Sequence, residues 1–531
     1  MSRFKHGIVV AAHPLAARAG VSILKKGGNA VDAAAATALA LGAVTPAFCG
    51  IGGGGFGLIW LASEERAIFV DFRERAPLAS KDDMFRVSRT GRVFRNENSS
   101  GYRSVAVPGS VAGHSLMIQK YGRLRLRDAL GPATRYAREG FEVSRTMAYV
   151  WRRSVSKLRP FRGSRAVYLK RGGPYREGDK IRLRDLANSF RAIARHGPDE
   201  FYNGRISKTI CEDMTSNGGL LSPTDLEHYT PTIRDPMRGT YRDYEVISAP
   251  PPSSGGAIIL QTLNMLESQS LKGFRHNSPQ ALHLISETLM RSCNNIRPRI
   301  CDPDFSQIPM SELVSKDLAR KAAASVTPDS ASSSIESSDT RSADASNTSH
   351  LTIIDAQGNV VALTESVECY FGSGVVVPGT GILLNDTMHD FEASPGRLNS
   401  VGPWKVPMSS MCPTLVMKDG RPFMAVGSAG ATRIVSSVLQ TILYILEFDM
   451  SAESAVGAPR IHTQGRLIQV ERGIDSGSVE KLKGMGHSVE LKQSSSARLY
   501  FGGVHVAVAR SENGELEGGA DPRRDGTALG Y

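Results

Sequence analysis

Several familiar signatures are missing from this chain, and each absence removes a class of function. Six cysteines in 531 residues (Cys49, Cys211, Cys293, Cys301, Cys369 and Cys412) are scattered and make no CxxC pair. Neither a disulfide framework nor a cysteine-based zinc site is indicated. The 12 histidines show no metal-ligand spacing either, so no metal or other cofactor is expected. No apolar run reaches membrane-spanning length, and no apolar segment with a small-residue cleavage site precedes the strand-like residues 7–12. A soluble cytoplasmic protein with no membrane partner is the expectation. Internal repeats are absent. The glycine run at 50–57 lacks the lysine of a phosphate-binding loop and leads into a strand instead of a helix. Its glycines are better read as letting a strand lie close against another backbone.

What is there is a globular composition, 41% hydrophobic and 22% charged, with enough apolar surface for a large core. The net charge is +12, and basic residues are dense over 120–205, for example Arg123, Arg125, Arg127, Arg152 and Arg153. Acidic residues and helical apolar spacing run through the same region without a nucleic-acid motif. A solvated basic face is expected, with no nucleic-acid partner. Residues 115–245 read as mainly helical. Residues 14–26 have helical spacing and stop at Gly27-Gly28, and Asn29 is placed to cap a second helix over 30–41. The Ala and Leu content of that second helix predicts packing on every side. Residues 279–296 read as one long amphipathic helix. His283 and Glu287 fall one turn apart on it, a spacing able to hold a metal. With no third ligand apparent nearby, a surface pair is expected.

The most informative stretch is Asn347-Thr348-Ser349-His350, followed by the apolar, β-branched residues 351–354. Before it, from about 325 to 346, comes a run of mostly Ser, Asp, Ala and Thr that cannot bury enough apolar surface to order itself. A second strand over 360–367 follows across Asp355-Ala356-Gln357-Gly358-Asn359, a loop with hairpin chemistry. Centring the hairpin on Gln357 sets Ser366 opposite Thr348. A hydroxyl at the head of a buried strand, a second hydroxyl beside it and a flexible leader suggest a self-cleaving proenzyme. Thr348 attacks the carbonyl of Asn347 and the ester hydrolyses. The freed α-amino group, with an ordinary pKa of about 7.7–8.0, then serves as base for the Thr348 hydroxyl. A threonine that merely opens a strand is the competing reading of this stretch alone.

Other blocks decide between the two. Gly27-Gly28-Asn29-Ala30-Val31-Asp32-Ala33-Ala34, Gly50-Ile51-Gly52-Gly53-Gly54-Gly55-Phe56 and Phe72-Arg73-Glu74-Arg75-Ala76-Pro77 resemble the opening of the gamma-glutamyltransferase family of N-terminal-nucleophile hydrolases. Val107-Pro108-Gly109-Ser110-Val111-Ala112-Gly113, Pro250-Pro251-Pro252-Ser253-Ser254-Gly255-Gly256, Cys301-Asp302-Pro303-Asp304-Phe305 and Asp521-Pro522-Arg523-Arg524-Asp525-Gly526 continue the likeness in order to the end of the chain. Thr348-Ser349-His350 resembles the family's self-cleavage motif.

The resemblance implies an α+β fold, a four-layer α/β/β/α sandwich in which 1–347 (with 325–347 a flexible pre-cleavage segment) and 348–531 form one intertwined domain after cleavage. The products would remain a heterodimer, with a dimer of heterodimers left open. It also implies roles by position. Thr348 is the nucleophile, supported by Ser366, and Gly430 and Ala431 fall on the oxyanion hole. Arg73 with Ser409 and Ser410 matches the substrate-carboxylate site, and Asp390, Glu368 and Thr387 match the ammonium side. Thr387 stands where a longer Gln or Glu is usual, and Ala431 where a glycine is usual. The short stretch 391–408 leaves little chain for a lid and implies an open, water-accessible pocket. The substrate expected is a small gamma-glutamyl amide such as a glutathione-like compound, its acyl group passed to water or an amine. An acylase acting on another carboxylate-bearing amide is the alternative, and a non-enzymatic binding member is the reading from a different class.

Overall fold

The computed structural model describes residues 3–332, 348–492, 499–510 and 514–531. Two antiparallel sheets of seven strands each lie face to face. One runs in the order Thr527–Gly530, Ile8–Ala11, Ser349–Ile354, Val360–Ser366, Gly54–Leu61, Arg66–Asp71, Thr232–Arg234. The other runs Arg3–Phe4, Glu515–Ala520, Gly503–Arg510, Arg421–Ala429, Thr414–Lys418, Tyr244–Ser248, Met237–Tyr241. Both sheets draw strands from before and after position 348. Such strands are buried on both faces, which is why residues such as Ile8-Val9-Val10-Ala11 and Leu351–Ile354 read as continuous apolar runs without alternation.

A helical layer covers each sheet. The helices Pro14–Lys25 and Ala30–Val44 pack outside the first sheet, and Gly255–Gln269, Pro279–Ile296 and Arg433–Leu446 pack outside the second. The four-layer α/β/β/α sandwich expected from the resemblance is therefore present. Every residue of Ala30–Val44 is buried, and alanine lets its neighbours approach it on all sides. Its start is fixed twice over. Asn29 and Asp32 form a reciprocal capping box, and the Asp355 carboxylate accepts the Ala30 N–H at 2.8 Å. Asp355 also accepts the N–H groups of Gln357 and Asn359, so one buried side chain closes the hairpin turn and ties it to the helix.

The glycine run does what its sequence suggested. A side-chain carbon on Gly53 would meet the Ser366 carbonyl at 2.1 Å, and one on Gly55 would meet that of Thr364 at 2.2 Å. Only glycine lets these strands close. The basic stretch is largely helical, and Arg127, Arg152 and Arg153 on its helices and Arg123 and Arg125 in the turn before Leu126–Glu139 are exposed, a solvated face as expected. Helix continues only to His228, and strands take over from Thr232, earlier than the sequence suggested.

Residues 325–332 depart from expectation. Arg291 donates to the Ser325 hydroxyl and carbonyl, His283 bonds the Thr327 carbonyl at 2.8 Å, and the Ala331 N–H reaches the Met485 carbonyl at 2.7 Å. Composition indicated a flexible segment from 325. The start of it is held because its main-chain groups find partners on a neighbouring helix and turn, which composition does not report. Asn347 and the rest of the segment, 333–347, lie outside the described residues.

Candidate active site

Thr348 immediately precedes the strand Ser349–Ile354 and lines a cleft of about 340 Å³. Ser349 pairs with Glu365 and His350 with Thr364, so the register sets Thr348 opposite Ser366 as the hairpin count required. The Thr348 hydroxyl lies 3.4 Å from the Ser366 hydroxyl, long for a hydrogen bond between oxygens but in contact. Ser366 Oγ in turn accepts the Glu368 N–H at 2.8 Å. From below, Arg524 donates to the Thr348 carbonyl at 3.1 Å. Burial pushes the Arg524 guanidinium down, and its charge lies 5.3 Å from the Phe48 ring centre. Sequence reading quoted Arg524 within a family block without a role. The signal was there, but nothing local connected it to Thr348.

Arg73, expected on the carboxylate side, is 2% exposed and lies behind Asp390, which borders the cleft. Its Nε donates to the Pro407 carbonyl at 3.1 Å, its Nη2 bonds Asp390, and Glu74 lies 3.9 Å away. Burial works against the Arg73 charge, but Asp390, Glu74 and Glu368 outweigh it and hold the guanidinium above its usual value. Beneath it, burial pushes Glu74 up to about 7 against the pull of Arg73 and of the Thr387 hydroxyl. Thr387 is fully buried and donates to Glu74 at 2.9 Å, so it stands behind the pocket. The expectation that Thr387 faces the substrate is corrected: its short arm turns inward to the one carboxyl in reach. Ser409 and Ser410 both line the cleft, close to Met408 and Asp390.

Glu368 and Asp390 line the same cleft. Glu368 has a positive φ of 77°, a conformation costly outside glycine and held here by its surroundings. The next residue is pinned, its N–H bonded to Asp386 at 2.9 Å, and Asp386 forms a buried ion pair with Lys157 at 3.0 Å. Asn385 bonds Gly52 and both peptide groups flanking Ala106. These contacts hold the main chain on either side of Glu368 and Asp390. The stretch 391–408 folds back, with Asn399 donating to the Asp390 carbonyl at 2.7 Å and accepting the Met408 N–H at 2.9 Å. It borders the cleft at Glu392, Asn399 and Met408.

Gly430 and Ala431 close the far end, immediately before the helix Arg433–Leu446. Ala431 lines the cleft and adopts φ 54°, the left-handed region a glycine would favour. Alanine carries that conformation with the strain a β-carbon adds. The positive end of a 14-residue helix here suits a developing oxyanion.

His350, two residues after Thr348, is buried between the sheets, bonds Thr364 at 2.8 Å and stacks near His505. Burial and His505 hold it far below its usual value, so it is a neutral interior residue outside the cleft. For metals, Glu368, His389 and Asp390 come within 4.8 Å of one another. All three border the cleft, and Asp390 also bonds Arg73. The pair His283 and Glu287, expected at the surface, is buried, and His487 joins it from a distant part of the chain. The helix periodicity was right. The face it presents was not.

A threonine heading a central strand of a four-layer sandwich and lining a cleft bordered by Glu368, Asp390 and Glu392 fits an N-terminal-nucleophile amidohydrolase. The sequence matches the gamma-glutamyltranspeptidase family model over residues 16–531. It is 36% identical to the glutathione hydrolase proenzyme of Escherichia coli, covering 100% of this chain and 92% of that one. It is also 36% identical to the acylase ACY 1 proenzyme of a Pseudomonas species, over 98% and 93%. Among solved structures, cephalosporin acylase from Bacillus halodurans superposes with a TM-score of 0.89 at 26% identity, covering 100% and 96%. The chain belongs to the gamma-glutamyltranspeptidase family and is an enzyme of that kind.

Proposed function

We propose that the chain is a proenzyme that cuts itself between Asn347 and Thr348 and then hydrolyses or transfers the acyl group of small gamma-glutamyl amides. In the first step the Thr348 hydroxyl attacks the Asn347 carbonyl and the acyl group moves from nitrogen to oxygen. Water then cleaves the ester, leaving a carboxylate on Asn347 and a free amine on Thr348. That amine takes the hydroxyl proton as Thr348 Oγ attacks the substrate amide. The N–H groups at Gly430 and Ala431 stabilise the oxyanion, and the proton passes to the departing amine. Water or a second amine releases the acyl group, and the two products of the self-cut stay together as a heterodimer.

The observation that carries the substrate reading is the charge of the cleft. Glu368, Asp390 and Glu392 border it together with Arg297, and the buried Arg73 bonds Asp390. A zwitterionic glutamyl head, with carboxylate and ammonium on one carbon, answers that arrangement. A dicarboxylic monoamide lacks the ammonium and leaves an acidic wall unanswered. The acylase relatives keep this second reading in view, and the strained Ala431 is the residue that departs from the family pattern on that side.

The test compares gamma-glutamyl and glutaryl p-nitroanilides, identical apart from the ammonium. A charged hydrogen bond contributes about 1.5–3 kcal/mol, so the glutamyl compound is expected to be preferred roughly 10–100-fold in kcat/KM. Asp390→Asn should erase most of that preference. Equal rates, or a glutaryl preference, would move the assignment to the acylase reading. Thr348→Ala should abolish both activity and the self-cut seen as two bands on a denaturing gel. Survival of both would remove Thr348 as nucleophile.

A further inference from the structure

Outside the cleft, the three side chains His283, Glu287 and His487 meet in the interior with nothing in the mechanism to account for them. His283 and Glu287 share one face of the helix Pro279–Ile296, and His487 stands just before the strand Ser488–Lys492. All three are buried, His283 fully. His283 Nδ1 lies 2.8 Å from His487 Nε2, and one donor atom from each of the three residues falls within 4.8 Å of the others. We propose that His283, His487 and Glu287 bind one borderline divalent metal ion, Zn²⁺ by preference.

The geometry around the imidazoles is that of ligands already aimed. His283 donates its Nε2 proton to the Thr327 carbonyl at 2.8 Å, which leaves the Nδ1 lone pair pointing at His487. A backbone carbonyl on the far nitrogen is the usual way a metal-binding histidine is oriented. His487 is then the donor across the 2.8 Å contact, through its Nε2. Binding needs only that its proton move from Nε2 to Nδ1, where Glu287 Oε1 lies 3.9 Å away. Glu287 gives its other oxygen to Arg291, and Oε1 accepts the Ser332 N–H at 3.2 Å. Two nitrogens and one half-neutralised carboxylate are too few and too soft for Ca²⁺ or Mg²⁺, and suit a tetrahedral ion with one open position. A cavity of about 110 Å³ bordered by Glu287, His487 and Arg466 gives that position room for water.

His283 and Glu287 precede position 348 and His487 follows it. If the self-cut proposed above occurs, the ion joins the two products, beside the held residues 325–332. The ion itself does not depend on the cut, and the experiment separates the two. Chelator-stripped full-length protein is titrated with Zn²⁺ against a colorimetric zinc chelator, and with Co²⁺ followed by visible absorption. One ion per chain and the absorption of tetrahedral Co²⁺ are expected. His487→Gln and Glu287→Gln should each weaken Zn²⁺ binding by about tenfold or more. Thr348→Ala should bind the ion unchanged, cut or uncut. No stoichiometric ion in the wild-type chain, or affinity indifferent to both substitutions, overturns the site.

Discussion

Glu74 is the residue whose charge changes near neutral pH. Its carboxyl is raised by burial from 4.5 to about 7, with Arg73 and Thr387 opposing the rise. Between those two values the folded chain holds more protons than the unfolded one, so stability is greatest at the acid end and declines as pH climbs through the window. The shift corresponds to on the order of 3 kcal/mol. Ionised Glu74 also draws on Arg73, so KM for a carboxylate-bearing substrate should rise on the alkaline side. Glu74→Gln is expected to flatten both profiles, read by thermal melting and by KM across the same pH range. Unaltered profiles would mean that Glu74 carries its charge throughout. The residues that border the cleft, among them Thr348, Glu368, Asp390, Ser409 and Ser410, were legible because they sit in short motifs with a chemical reason for each. Glu74 and Arg524 act through contacts that link Phe72-Arg73-Glu74 with Thr387, and Thr348 with Arg524. Only the folded chain brings those together.

Among elements, the hairpin carrying Thr348 is the one that must hold its register, since a slip of one residue turns the nucleophile to the other face. Asp355 sets that register and caps the helix Ala30–Val44 in the same stroke. Asp355→Ala leaves the buried N–H groups of Ala30 and Asn359, and the more exposed one of Gln357, without this acceptor. A cost of about 3 kcal/mol is expected, seen as a lower melting temperature and a reduced yield of cut protein. No change in either would show that the turn is held by its backbone alone. The turn, the cap at Asn29 and the helix Pro279–Ile296 were all readable, because each rests on residues within a few positions of one another. The buried face of Pro279–Ile296 was not. It depends on His487 and on the chain at 325–332 folding over it, and no periodicity contains that information. The strand Met237–Tyr241 was missed for the same reason: it follows from pairing with Tyr244–Ser248 at a sheet edge.

On the scale of the whole molecule, the strand order has a physical result that can be weighed directly. The strand Ser349–Ile354 lies between Ile8–Ala11 and Val360–Ser366, and Thr414–Lys418 pairs with Tyr244–Ser248. Neither 1–347 nor 348–531 owns a complete sheet or a complete core. The cut products are therefore expected to elute together in native size-exclusion chromatography and to part only in denaturant. Dissociation under native conditions would mean that one of them is a domain in its own right. The sequence allowed this reading only through the resemblance, because the pairings join residues hundreds of positions apart. The interleaving also makes the mature protein a one-way product. An uncut chain closes these sheets by bringing two parts of a single polymer together, at the modest entropy of a loop. After the cut, the same closure is an encounter between two separate molecules, each with unpaired apolar strands that aggregate on their own. Heat or urea would then end the enzyme, where it would only pause the precursor, and the lifetime of activity would be set by the rate of opening and not by an equilibrium.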